Sequence, residues 1–198
     1  MPDDLLDAKR IRQYVAEVAA ELPDVGQPLA VVLVGGAFMA WHDLCASTRD
    51  VDSATRLDAS LLDAVERVAA RHGLAPRWLN DAASGFRPAT LVDEDCEVLV
   101  ASDRLRVLGA PYDQVFLMKL NASRAADTDD LIALWPLCSF GTPEQAVDAF
   151  YEAYPHEHAL VPRPTHPGDP VARRFQKSAP RWAILLVTVR TDSGRAWA

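Results

Sequence analysis

The sequence predicts a mixed α+β fold in which a small mixed sheet is flanked by helices. Three observations lead there. Leu29–Val34 is apolar on both faces, as a buried strand is, and amphipathic stripes with helical spacing stand on either side of it. Two short β-type segments at Glu97–Val100 and Leu105–Leu108 are joined by only Ala-Ser-Asp-Arg, which reads as a tight hairpin. The chain has 198 residues, 49% hydrophobic and 24% charged, so it holds apolar material for one ordinary core.

Taken in order, Leu5, Leu6, Ile11, Val15, Val18 and Leu22 form a helical stripe that Pro23 stops. After the 29–34 strand, Gly35-Gly36 ends the extended run and Ala37–His42 reads as a helix packed closely on it. A second strand is expected at Val51–Leu57. Asp58 or Ser60 then caps a helix that runs to His72-Gly73 with Leu61, Leu62, Val65, Val68 and Ala69 inward. Residues 77–81 read as a short strand or turn. Pro111 opens a helix containing Val115, Phe116, Met118 and Leu120, and Asp127 or Thr128 opens another containing Leu131, Ile132 and Leu134. A last helix begins at Thr142-Pro143-Glu144, with the threonine as cap and the proline in the first turn. The expected domain is residues 1–160. The proline-rich stretch 161–170 reads as a linker, and 171–198 as a basic extension whose Trp182–Val189 is strand-like.

Charge divides along the same line. The chain carries 28 acidic and 20 basic residues, a net charge of -8, but residues 1–150 hold 24 acids against 13 bases. So acidic a body argues against a protein that coats nucleic acid, whose affinity comes largely from cations on phosphates. Cys45, Cys96 and Cys138 are odd in number and widely spaced, which suggests neither a disulfide framework nor a thiolate metal site. The start of the chain lacks the pattern of a secretory signal and no apolar run is of membrane-spanning length, so a cytoplasmic protein with no membrane partner is expected.

The chemistry-bearing pattern is Gly35-Gly36 behind a buried strand, followed after a short helix and loop by Asp50-Val51-Asp52. Paired glycines let a backbone approach a phosphate. Two carboxylates alternating about an inward valine share one face of a strand and repel, and a divalent cation such as magnesium neutralises them. Each half alone is more often a tight turn or a solvated edge; their joint placement is what points to phosphate and metal.

Val34-Gly35-Gly36 and Arg49-Asp50-Val51-Asp52 resemble the signature of the nucleotidyltransferase superfamily, whose members join a nucleoside monophosphate to a hydroxyl and release pyrophosphate. Three later blocks are Trp78-Leu79-Asn80-Asp81-Ala82-Ala83, then Met118-Lys119-Leu120 with Ala122 and Arg124, then Asp127, Asp129 and Asp130. They are similar to a minimal bacterial group related to the abortive-infection nucleotidyltransferase toxins, and the likeness spans roughly residues 10–155.

That resemblance implies a nucleotidyltransferase-like core in which Gly35 and Gly36 hold a nucleoside triphosphate and Asp50 and Asp52 bind Mg2+. Lys119, Arg124, Asp127 and Asp130 would complete the nucleotide side. A third carboxylate on a neighbouring strand usually assists the attack in such enzymes; Asp81 is the first choice for it here and Glu97 the second, with a structural role equally open to both. Asn80 would orient a ribose or a carboxylate. The implied activity is transfer of a nucleoside monophosphate to an RNA or protein hydroxyl in a toxin–antitoxin or phage-defence setting, with a cognate antitoxin or toxin as partner. The alternative is a catalytically inactive binding or antitoxin-like module of the same fold.

Blander readings stand beside these. Lys119 is equally well a snorkelling lysine, and Asp127 a helix cap. Phe38, Met39 and Trp41 are expected to pack α-helix on sheet, and the loop hydroxyls of Ser47 and Thr48 to be ordinary. Asp93-Glu94-Asp95 reads as a solvated turn, and His42, His72 and His156-Glu157-His158 make no zinc motif. Arg173, Arg174 and Lys177 lack the interleaved aromatics of a nucleic-acid groove.

Overall fold

A computed structural model describes residues 5–24, 26–122 and 124–156. The linker, the basic extension and His158 lie outside these residues. The fold is α+β: helices α1 (Ala8–Glu21), α2 (Gly35–Trp41), α3 (Ala59–His72), α4 (Tyr112–Ala122), α5 (Thr128–Leu134) and α6 (Pro143–Ala153) surround five strands. The strands are β1 (Leu29–Val34), β2 (Val51–Ser53), β3 (Leu79–Asn80), β4 (Glu97–Ala101) and β5 (Leu105–Gly109), in sheet order β3-β2-β1-β5-β4. β1 runs parallel to β5 and antiparallel to β2, and β2 runs parallel to β3. The sheet is therefore mixed, and its central strand is the apolar 29–34 run.

Both faces of β1 are buried because each has its own helical layer. Val31 and Leu33, with Leu105 and Val107 of β5, meet Ile11, Val15 and Val18 of α1 and Leu61, Val65 and Val68 of α3. Val32, Val34 and Leu108 face the other way, onto Val115, Phe116 and Leu120 of α4, Leu131 of α5 and Phe150 of α6. Alternation along one strand thus feeds two cores.

Local chemistry sets the ends of the elements. Asp58 is the N-cap of α3, its carboxylate accepting from the Leu61 N–H at 2.8 Å, and Gly73 closes that helix in the left-handed region at φ +66°. Thr142 caps α6 in the same way through the Gln145 N–H, with Pro143 in the first turn. Asp58→Ala is expected to lower stability by about 1 kcal/mol in urea unfolding with the slope unchanged, the ordinary cost of losing a cap.

Several expected boundaries differ, α2 for one taking in Gly35 and Gly36 and ending at Trp41. α1 starts at Ala8 under an Asp7 cap, and Leu5-Leu6 are not helical. Leu6 instead forms an antiparallel bridge with Thr48, exchanging backbone hydrogen bonds of 2.7 and 2.9 Å. The second strand ends at Ser53, where the hydroxyl bonds to both the N–H and the carbonyl of Thr55 and turns the chain. The 97–109 hairpin forms as expected, with Ser102 accepting from the Leu105 N–H at 3.0 Å in its short loop.

Candidate functional site

β1 delivers the site. Its last residue, Val34, is the register partner of Asp52 on β2, so the glycine pair leaves the strand beside that aspartate. Gly35 turns at φ +61°, and a Cβ there would lie 3.2 Å from the Asp52 Oδ2. Gly36 is tighter: a Cβ would come within 3.0 Å of the Thr48 Cβ and still closer to its hydroxyl. The glycines are required by the approach of the loop and strand that carry the acidic pair, besides any ligand they hold.

Asp50, Val51 and Asp52 divide as the pattern suggests. Val51 is fully buried, Asp52 is half-buried within β2, and Asp50 is exposed one residue before the strand begins. Burial first, then the negative charge of Asp50, push the Asp52 carboxyl above its ordinary range, while a hydrogen bond from Asn80 and the charges of Arg124 and Lys119 oppose that rise. Five sequence-predicted residues, Asp50, Asp52, Asn80, Lys119 and Arg124, are thereby brought into one electrostatic neighbourhood beside Gly35.

Lys119 is only 8% exposed, and its ammonium is held by two carboxylates, Asp127 Oδ1 at 3.0 Å and Asp130 Oδ2 at 2.5 Å. The last turn of α4 and the first turn of α5 are fastened together in this way. Asp127 makes no side-chain cap bond to α5, so its role is to hold Lys119. The charge of Asp130 also reaches Cys45: burial, then that charge, raises its thiol. The charges of the Lys119 clamp thus reach Cys45 as well as Asp52. Arg124 is exposed at the α4–α5 junction.

Asp81 and Glu97, the two choices for a third carboxylate, are engaged in contacts of their own. Asp81 is spent on local structure, Oδ2 accepting from the Leu57 N–H and Oδ1 from Arg77, each at 3.3 Å. Glu97 lies on the far edge of the sheet in register with Gly109, which pairs with Leu33 rather than with Val34. Its neighbour is His42, with Oε2 3.6 Å from Nε2. The position beside Asp52 belongs to Asn80, its register partner on β3. Asn80 Oδ1 accepts the Ala82 N–H at 2.9 Å.

No protein-family model, curated protein or solved structure matches the chain. The site therefore rests on its own geometry. Among the described residues no group of three or more His, Cys, Asp or Glu side chains is gathered for a metal ion. Asp50 and Asp52 are nonetheless a fitting donor pair for Mg2+, which commonly takes one or two carboxylates and completes its octahedron with water and phosphate oxygens. Two like charges two residues apart are what a cation would neutralise there. No described helix is long and apolar enough to cross a membrane.

The loop contacts had no sequence signal. Thr48 touching Gly36, Cys45 Sγ lying 3.7 Å from the Gly36 carbonyl, and the Leu6–Thr48 bridge join residues by long-range folding. No local periodicity encodes them.

The raised Asp52 carboxyl makes a prediction about stability in metal-free buffer. A carboxyl whose native pKa exceeds its unfolded value costs stability when ionised, in full above the native pKa, and the cost vanishes below the unfolded one. Asp52→Asn is therefore expected to be more stable than wild type at pH 7. That advantage shrinks as pH falls through the carboxylate range, and thermal melts in chelator at pH 7 and pH 3.5 check it.

Proposed function

We propose that the protein binds a magnesium nucleoside triphosphate at Gly35-Gly36 and transfers its nucleoside monophosphate to a hydroxyl. The observation that carries the reading is the meeting of Gly35, Asp52 and the charges of Asp50, Lys119 and Arg124 at the end of β1. The resemblance of the same residues to the nucleotidyltransferase signature supports it.

In this reading Asp50 and Asp52 would hold the cation, which supplies neutralisation of phosphate charge when bound. Gly35 and Gly36 would present bare backbone to phosphate oxygens near Asp52. Lys119 presents a compact positive charge whose position is fixed by Asp127 and Asp130, so it needs no reordering when negative charge develops on the leaving phosphates. Arg124, at the exposed rim, is free of that clamp and suits the outer phosphates. The proton of the attacking hydroxyl would pass to water or to the ionised Asp52. The acceptor is an RNA end or a protein side chain, and a toxin–antitoxin or phage-defence setting follows from the resemblance alone.

One observation favours the binding-only alternative: a neutral amide, Asn80, stands where a third carboxylate would complete the site. Transfer separates the two. Incubation with each α-labelled nucleoside triphosphate, Mg2+ and total cell RNA or protein should yield labelled acceptor with wild type and none with Asp50→Ala/Asp52→Ala. Nucleotide binding without any labelled acceptor would select the binding module.

A further inference from the structure

β4 is the outermost strand on its side of the sheet, and among the described residues no strand pairs with its outer edge. A free edge is a template for another strand, and proteins blunt it with charge, proline or a bulge. Here the protection is partial. A register shift between Val98 and Val100 interrupts the ladder with β5, but Glu97 is the only charge on the strand and Val98 is 51% exposed. Phe86 and Val92, on the segment that leads into β4, are large apolar side chains left exposed as well.

The last described turn of the chain lies against that segment. The Ala153 carbonyl accepts from the Ala89 N–H at 2.8 Å, and the Tyr154 hydroxyl donates to the Phe86 carbonyl at 3.0 Å. Residues 157–198 follow, outside the described residues. Their sequence holds an apolar run at 182–189, Trp-Ala-Ile-Leu-Leu-Val-Thr-Val, in which only Thr188 is polar. Such a run suits a strand in a sheet covered on both faces, as this one is. Arg173, Arg174, Lys177, Arg181 and Arg190 flank it, with no acidic residue between 171 and 191. β4 is entered through the exposed acids Asp93, Glu94, Asp95 and Glu97, of which Asp93 already meets Arg87. The stretch 157–181 reaches about 80 Å when extended, several times the length of β4, so either strand direction is open.

We infer that the outer edge of β4 is the docking site for residues 182–189 of the same chain, added to the sheet as a further strand. Backbone hydrogen bonds along β4 supply the affinity, and the flanking basic residues meet the acids at its entry. The added strand removes an edge that would otherwise recruit a second copy. None of this depends on the nucleotide site.

Photo-crosslinking of the full chain tests it, with p-benzoylphenylalanine placed at Val98, or at the exposed Ala101 should the first variant not fold. The same group at Ile132, which is 60% exposed on α5, serves as the control. Crosslinks from β4 are expected to form within one chain and to map by mass spectrometry to 182–189, whereas those from Ile132 do not. Leu185→Pro/Leu186→Pro removes one N–H from each side of the added strand and should cut that crosslink about tenfold. Asp93→Asn/Glu94→Gln/Asp95→Asn should lower it by a smaller factor. Crosslinks from β4 that miss 182–189, or that join two chains, would overturn the inference, the latter in favour of a second copy at the edge. A crosslink to 182–189 that the two prolines leave unchanged would overturn it too, since apolar contact without strand pairing would then suffice.

Discussion

Lys119→Met is expected to lower stability by about 3 kcal/mol, a large share of what holds an ordinary domain together. Methionine matches the aliphatic stem and preserves the packing, so hydrophobic loss is small. The cost comes from Asp127 and Asp130, whose side chains are only 14% and 28% exposed and which lose their shared cation. Breaking a buried pair leaves a desolvated charge, and here it leaves two that also repel. Asp127→Asn/Asp130→Asn in the Lys119→Met background should therefore recover most of the loss in urea unfolding, although each change alone in wild type destabilises. A snorkelling lysine would give less than 1 kcal/mol and no recovery. If the proposed function holds, transfer in the triple variant stays down by about 100-fold or more, since the fixed positive charge is absent whatever the stability.

Gly36→Ala is the second large effect. The new methyl would meet Thr48 at a separation that real Cβ atoms do not adopt, and Thr48 is not the tip of a flexible side chain. Its backbone is tied to Leu6 by two hydrogen bonds, so the loop cannot retreat without breaking that bridge. The expected loss is about 2 kcal/mol or more, within the usual range for overpacking, together with a displaced Asp50 two residues on. Thr48→Gly removes the opposing side chain. In the double variant it should restore much of the stability, giving a coupling of at least about 1 kcal/mol in a double-mutant cycle. Additivity of the two changes would show that Gly36 is not pressed against this loop.

Much of the fold was legible because it depends on local signals. The 29–34 run, the 97–109 hairpin, the Thr142 cap and the end of α3 near Gly73 all read correctly from spacing and residue chemistry, and of the two caps open for α3 it is Asp58 that is used. What failed was non-local. Leu6 fits the helical stripe of α1 by its spacing, yet its partner lies 42 residues on at Thr48. Val51–Leu57 is strand-like in composition, but the Ser53 hydroxyl turns the backbone after three residues.

The candidate site divides similarly. Gly35 and Asp52 meet at the end of β1, since a strand, a short helix and a returning strand leave little freedom. Lys119 is braced by Asp127 and Asp130, as the spacing across the α4–α5 junction allows. The sequence leaves open whether Asn80 or Asp81 sits beside Asp52, because the two are adjacent and only the β2–β3 register decides it. A one-residue difference in pairing reverses that outcome, and sequence alone carries no register for a two-residue strand.

The central claim is that a metal nucleoside triphosphate sits at Gly35-Gly36 against Asp50 and Asp52, and calorimetric titration tests it without requiring turnover. Non-hydrolysable analogues of the four nucleoside triphosphates would be titrated into the protein with Mg2+, with chelator, and into Asp50→Asn/Asp52→Asn. Saturable binding of at least one analogue, abolished by chelator and by the double substitution, is the predicted result. Binding that survives both, or no binding of any analogue with Mg2+ present, would contradict the account.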